Sequence, residues 1–600
     1  MDTHLGKAMQ AMREGDFPRA IKHFDKLGKH ARSDDRIARA AGFAHLQTGD
    51  DARAILFLDA SARSNPSQPD VHAALGDIYR RQGDRDTCLK HLRKAAKLAP
   101  NEPELHYKLG LASLSFMLLD EAASQMKAAL ALTPELLKAR LGLARALTEQ
   151  GRFAEAEAEL ILAGNTAPEH YAVAFRLAKL REKQGRSKDA ITLYRQAESW
   201  SEHSAPVCEA LGLVELASGD ANTALATFHR GLGKTPRHVE LLKHSAELRY
   251  EMGDVDAFSW YAEALKTGPD RRIHGDYILN LINADKIEEA LDQLRAYETQ
   301  YGRGTDWMKL TATMHYSQGA YQAILDTLLK APAEDAALAR WKAQALLGCG
   351  EARAAQKIIT WLNKHDPFDQ HLLALLGTCY RITNKQSYDE LVNYEHLLIQ
   401  AELPVPQGYS SLPAFNSALR ETLEELHITR SNPLSQSVKG GTQTPGNLFL
   451  QPHPVIGDLK KAIQATLARE FNAALFKRLA EGHPVNVARG KSFSLQAAWS
   501  IRVTQGGYHR PHVHPKGWYS SAYYVSLPSE MKDADPAGNQ GSLAFGRPGI
   551  SVPGAMDAER LVSPKEGLLA LFPSYFWHET LPFNSDEPRV VVAFDTLPGK

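Results

Sequence analysis

A 34-residue period runs through the first 240 positions of this 600-residue chain. Proline recurs at Pro66, Pro100, Pro134, Pro168 and Pro236, a series that skips only Glu202. Glycine keeps the same interval at Gly49, Gly83, Gly151, Gly185 and Gly219, skipping Met117, and each lies 17 residues before a proline position. Between these markers sit large–small pairs (Leu75-Gly76, Leu109-Gly110, Leu143-Ala144, Leu177-Ala178, Leu211-Gly212) and a small residue at Ala122, Ala156, Ala190 and Ala224. An apolar residue follows four positions later: Met126, Leu160, Tyr194, Phe228. Small residues let two antiparallel helices approach closely, and large ones fill the groove between successive units. Glycine opens the turn between the helices, and proline ends the second one. No single unit of this length can bury its apolar face alone, so the units must stack.

The pattern resembles the tetratricopeptide repeat. Its phase never slips over residues 35–238, and it weakens afterwards, although Asp285 to Ala296 and Leu338 to Pro367 still read as helix pairs or parts of them. The expectation is an all-α superhelix over residues 1–400, and the resemblance implies a scaffold or a surface that captures a protein or peptide partner. Arg140, Arg145, Arg176 and Arg181 suit either a groove for an acidic peptide or a solvated face. The 70 basic and 70 acidic residues cancel, so composition points to no nucleic-acid partner and only weak long-range steering. Cys88, Cys208, Cys349 and Cys379 are far apart with no CxxC, and read as reduced fillers in a reducing compartment. The first residues contain no apolar signal core, and no later run reaches the ~18 apolar residues of a membrane span. A cytoplasmic protein without a membrane segment is expected; the oligomeric state is left open.

Helical phase is lost near Gln400. Residues 401–480 read as a junction with supporting helices: a Pro/Gly-rich stretch (401–408), a helix over Leu412 to Leu426, and a polar, glycine-rich segment (435–444). A second helix follows, with Val455, Leu459, Ile463, Leu467, Phe471 and Leu475 spaced every four residues along one face. From Lys491 the texture turns to β. Candidate strands are 493–504, 519–527, 542–545, 568–572 and 589–596, separated by Gly/Pro/Asp-rich turns. The expected fold is therefore multidomain: the repeat superhelix, then a β jelly-roll (double-stranded β-helix) core over 481–600 with flanking helices.

Gly507 to Pro515 crowds His509, His512 and His514 into six positions. A His-x-His pair points two imidazoles to one face of an extended segment. His578, on another strand, can complete a metal site from one side and leave the other side open. That is the layout of a non-haem Fe(II) oxygenase. Arg589 is a lone cation on an apolar strand.

Taken in order, His512-Val513-His514-Pro515, Ser521-Ala522-Tyr523-Tyr524-Val525-x-Leu527-Pro528, Gly541 to Phe545, Phe572-Pro573-Ser574, Trp577-His578 and Arg589 with its alternating valines resemble the 2-oxoglutarate/Fe(II) oxygenases found fused to tetratricopeptide repeats. Gly440 to Thr444 is similar to that family too, so the resemblance covers about Ser435 to the C-terminus. It implies Fe(II) and 2-oxoglutarate as cofactors, with His512 and His578 on the iron. Arg589 would grip the distal carboxylate of 2-oxoglutarate through its planar fork, and either Tyr523 or Tyr524 would add a hydroxyl. His514 stands where the better-known facial triad has Asp or Glu. Three readings stay open: His514 is the third ligand; water fills that place, as in two-His aspartyl/asparaginyl hydroxylases; or His509, Asp533 or Asp535 supplies it. The expected activity is a dioxygenase hydroxylating a peptide or protein recruited by the repeats. The competing readings are a three-His cupin-type dioxygenase independent of 2-oxoglutarate, which would leave Arg589 idle, and a repeat scaffold with a silent barrel, which would require neither His578 nor Arg589.

Overall fold

A computed structural model describes residues 2–434, 436–477, 479–532, 539–554 and 556–599. The chain divides into two compact units, Met1–Glu202 and His203–Lys600. The loss of helical phase near Gln400 falls inside the second.

The first unit is all-helical, with antiparallel pairs such as Pro69–Gln82 with Arg85–Leu98 and Pro103–Ser115 with Leu119–Leu132. The small–large pattern is steric: a Cβ on Gly76 would lie 2.5 Å from Leu92 Cγ. The turn position needs left-handed backbone, with Gly49, Gly83 and Gly151 at φ 76–77°. Where the glycine series skips, Met117 adopts the same hand at φ 57°. A polar ladder also repeats. His72 Nε2 and His106 Nε2 bond the carbonyls of Pro66 (3.2 Å) and Pro100 (2.9 Å), and Arg140 donates to that of Pro134 (2.5 Å). Each also reaches a residue 19 positions on: His91, Gln125 and Glu159 respectively. Arg140 is therefore neutralised internally, as is Arg181 by Glu157. Arg176 is half-buried, its pKa lowered by burial and by Arg145.

In the second unit helix pairs continue past the clear sequence phase, among them Thr305–Ser317 with Tyr321–Thr327 and Ala336–Gly348 with Ala352–His365, then Gln370–Thr383. The β region follows: β1 (Ile399–Glu402), β2 (Val438–Gln443), β3 (Phe493–His512), β4 (Tyr519–Ser526), β5 (Leu543–Phe545), β6 (Arg560–Val562), β7 (Leu568–Pro573), β8 (His578–Thr580) and β9 (Arg589–Pro598). All pairings are antiparallel, in the order β1-β7-β4-β9-β3-β8-β5-β6 with β2 against β3. The sheet curls into a half-barrel of jelly-roll type.

Two helices cover it, Leu412–Leu426 and Pro454–Glu470. Their Phe415, Leu419, Leu459 and Ile463 share one core with Tyr523, Leu569 and Leu571, and with Leu372, Leu375 and Cys379 of helix Gln370–Thr383. Hydrogen bonds reinforce that core. Trp577 Nε1 donates to Thr378 Oγ1 (3.0 Å), Arg381 to Gly546 O (2.8 Å) and Tyr316 Oη to Gly549 O (3.0 Å). All four cysteines are free thiols, three buried and Cys349 half-buried. Among the described residues no helix is long and apolar enough to cross a membrane.

Candidate metal centre

The length of β3 places the site. Its residues 493–503 pair with β9, while 509–512 pair with β8 across a register shift, so one strand passes from one half of the curl to the other. His512 lands directly opposite His578. Opposed residues have Cβ atoms roughly 5 Å apart, and the two ring centroids are 4.1 Å apart. His514 lies just beyond the strand end, held by its backbone N–H on Ser574 O (3.0 Å). Its ring returns to within 5.2 Å of His512 and 5.1 Å of His578, with the two Nε2 atoms of His512 and His514 3.3 Å apart. One nitrogen from each of the three rings lies within 4.8 Å of the other two.

The outer nitrogens fix the tautomers. His512 Nδ1 meets Arg510 O at 2.8 Å, and His578 Nδ1 meets Phe576 O at 2.9 Å. A carbonyl oxygen only accepts, so both Nδ1 atoms carry the hydrogen and both Nε2 lone pairs are free. His514 Nδ1 is 2.6 Å from Asp595 Oδ1. Burial, then the neighbouring His514, pushes His512 down to about 3, and burial with His512 and His514 holds His578 well below the usual range. Both are neutral imidazoles, the state a metal requires. His509 is engaged elsewhere: its Nδ1 is 2.9 Å from Ser437 Oγ, and its ring stacks 5.7 Å from His512. Asp533 and Asp535 lie outside the described residues.

Arg589 opens β9 and is only 2 % exposed. Its Nη1 donates to Gly541 O (2.7 Å) and Nη2 to Thr580 Oγ1 (3.3 Å), while Nε has no hydrogen-bond partner among the described residues. No carboxylate pairs with it among the described residues, and burial lowers its pKa. A buried cation left unpaired costs several kcal/mol, so the cavity favours an anion. Strand alternation separates the two tyrosines. Tyr523 turns away and donates to Asn416 Oδ1 (2.6 Å). Tyr524 faces the histidine cavity, its buried hydroxyl without a hydrogen-bond partner among the described residues and pushed up to about 12 by burial.

Residues 497–595 match the family described as "Putative 2OG-Fe(II) oxygenase", residues 76–114 match "TPR repeat", and residues 11–78 and 119–168 match "Tetratricopeptide repeat". The chain joins tetratricopeptide repeats to a domain of that oxygenase family. Among solved structures it is similar to a thermophilic TPR protein of Thermus thermophilus (23 % identity over 30 % of this chain and 100 % of that one, TM-score 0.29). It is also similar to PilW, a type IV pilus biogenesis factor (20 % identity, 34 % and 96 %, TM-score 0.31), and to a human IFIT1 dimer with m7Gppp-AAAA (15 %, 54 % and 79 %, TM-score 0.34). No curated protein matches the chain.

The oxygenase-family domain holds the donors its family's groups require: imidazole lone pairs from three rings for Fe(II), and, for a carboxylate, a buried guanidinium with no carboxylate partner among the described residues, beside the Tyr524 phenol. Asp595, Thr580 and Ser437 did not stand out in the sequence. Asp595 had one readable signal: it shares the inward phase of β9 with Arg589, Val591 and Ala593.

Proposed function

We propose that the chain is a 2-oxoglutarate- and Fe(II)-dependent dioxygenase that hydroxylates a peptide or protein recruited through its repeats. The observation that carries this reading is a single cavity holding three imidazoles aimed at one point and a buried, anion-seeking Arg589. His512, His514 and His578 would hold Fe(II). Arg589 and Tyr524 would hold the far carboxylate of 2-oxoglutarate, with Tyr523 supporting the strand from its other face. Bound iron and cosubstrate together supply the O₂ chemistry that hydroxylates a C–H bond. The chain's own residues orient and dry the site. Gly541 O and Thr580 Oγ1 aim the guanidinium, and Trp499, Leu543, Phe572 and Val591 line the cavity with apolar surface.

The substrate class rests on a groove of about 900 Å³ that has His512 on its wall. Tyr316, Tyr321 and His371 from the repeat helices form part of it, and Arg510, Arg547 and Trp577 from the β domain face them. An extended polypeptide lying there would touch both the repeats and the metal-facing histidine. In this reading residues 1–400 are the repeat array, 401–480 the support and 481–600 the catalytic core. A reducing compartment such as the cytoplasm suits the four free thiols.

The test is turnover of 2-oxoglutarate to succinate by protein purified without oxygen and given Fe(II), comparing wild type with His578→Ala and Arg589→Ala. Succinate from wild type and none from either variant is expected. O₂ uptake that ignores both 2-oxoglutarate and Arg589→Ala would point to a cupin-type dioxygenase. No turnover and no thermal shift with 2-oxoglutarate would leave a repeat scaffold.

A further inference from the structure

We propose that Asp595 is a positioning residue that returns to the metal site, through His514, the negative charge its ligand set lacks. The inference rests on the reading of His512, His514 and His578 as metal ligands. Three neutral imidazoles leave a divalent cation with its full charge, whereas a ligating carboxylate offsets one unit of it. In this chain the carboxylate stands one residue further out. Asp595 Oδ1 accepts from His514 Nδ1 at 2.6 Å and from Ser520 Oγ at 2.7 Å, and Ser520 Oγ lies 2.8 Å from Ser574 Oγ. Asp595 is 9 % exposed, and both serines are fully buried. No lysine or arginine pairs with Asp595 among the described residues; it faces only the His514 ring and Ser520.

A buried carboxylate without a cation is as costly as a buried cation without an anion. β9 thus carries two opposite buried charges on one face: Arg589 at its start favours an anion, and Asp595 near its end favours a cation. A cation bound at His514 Nε2 would answer the second through the ring. The hydrogen bond fixes the Nδ1–H tautomer, sets the ring's angle and makes Nε2 a stronger donor. The chain leaves room for this arrangement: a Cβ on Gly517 would lie 3.3 Å from Asp595 Cγ. The ladder is specific to His514, since the other two rings are anchored by backbone carbonyls.

The test uses the full-length chain and Co(II) alone, followed by visible absorption. Asp595→Asn keeps the shape and an accepting oxygen but removes the charge. It should weaken Co(II) binding about tenfold and shift the absorption bands; Asp595→Ala should weaken it up to about 100-fold. Asp595→Glu, which keeps the charge, should stay within a few-fold of wild type. Moving the carboxylate into direct contact with His514→Asp should make Asp595 dispensable, so adding Asp595→Asn to that variant should not weaken binding further. Ser520→Ala, which spares the carboxylate, should retain affinity. The inference is overturned if Asp595→Asn binds Co(II) as tightly as wild type with an unchanged spectrum while His578→Ala loses it. Should His578→Ala also bind like wild type, the metal-ligand reading itself falls.

Discussion

At the residue scale the site turns on which atoms are left without partners. Among the described residues nothing accepts from Arg589 Nε or the Tyr524 hydroxyl in the cavity. Tyr524→Phe should weaken 2-oxoglutarate binding about tenfold, the worth of one hydrogen bond to a charged group, with little change in melting temperature. Tyr523→Phe should do the opposite. It breaks the 2.6 Å bond to Asn416, costs about 1 kcal/mol of stability and leaves 2-oxoglutarate affinity alone; calorimetry on the two variants separates the effects. His512, His578 and Arg589 were legible in the sequence because each is a polar exception in an apolar or turn context. His514 was legible as a candidate ligand from the His-x-His pair, but its contact with Asp595 was not, because the two lie 81 residues apart. Nor was the choice between Tyr523 and Tyr524. Adjacent strand residues face opposite ways, and only the position of the covering helix says which way is in.

At the scale of elements, the repeats store a strain and a pH dependence. Met117 holds left-handed backbone at φ 57° with a 61 % exposed side chain, which costs a residue with a Cβ roughly 1–2 kcal/mol. Met117→Gly should recover part of that, about 0.5–1 kcal/mol after the unfolded-state entropy of glycine, read as a higher denaturant midpoint. Gly212→Ala should do harm, because the Phe228 ring occupies the place of its Cβ; about 1–3 kcal/mol is the usual cost of such overpacking. The His72–His91 pair is held neutral by burial, with His91 pushed down to about 4. Protonation therefore favours the unfolded chain. The pair's contribution is whole above the ordinary histidine pKa of 6.5 and is lost as pH falls from there toward 4. Hydrogen-exchange protection factors over residues 69–98, taken against the intrinsic rate at each pH, should fall between pH 7 and pH 5. His91→Gln, which copies the His106–Gln125 rung, should flatten that dependence. The period exposed these helices in the sequence. Strands β1, β2 and β6 escaped the sequence reading, because segments of three to six residues are held by pairing with neighbours rather than by alternation of their own.

At the scale of the molecule, the helices just before Gln400 and the β domain belong to one compact unit. Helix Gln370–Thr383 contributes Leu372, Leu375 and Cys379 to the core beneath the sheet, and Arg381 ties it to Gly546 and Glu559. A fragment of residues 401–600 should expose that core and aggregate, whereas 203–600 should melt cooperatively; size exclusion and circular dichroism distinguish the two outcomes. The sequence showed a change of texture near Gln400 but not this union, since apolar residues facing a sheet look the same as those facing the next repeat. The union also matters for the proposed chemistry, because it sets Tyr316, Tyr321 and His371 of the preceding helices around the groove that reaches His512. The measurement that bears most directly on that chemistry is anaerobic calorimetric titration of 2-oxoglutarate into metal-loaded wild type, His578→Ala and Arg589→Ala. Binding by wild type that is lost in both variants is the predicted result. Binding that survives intact in either one would contradict the account.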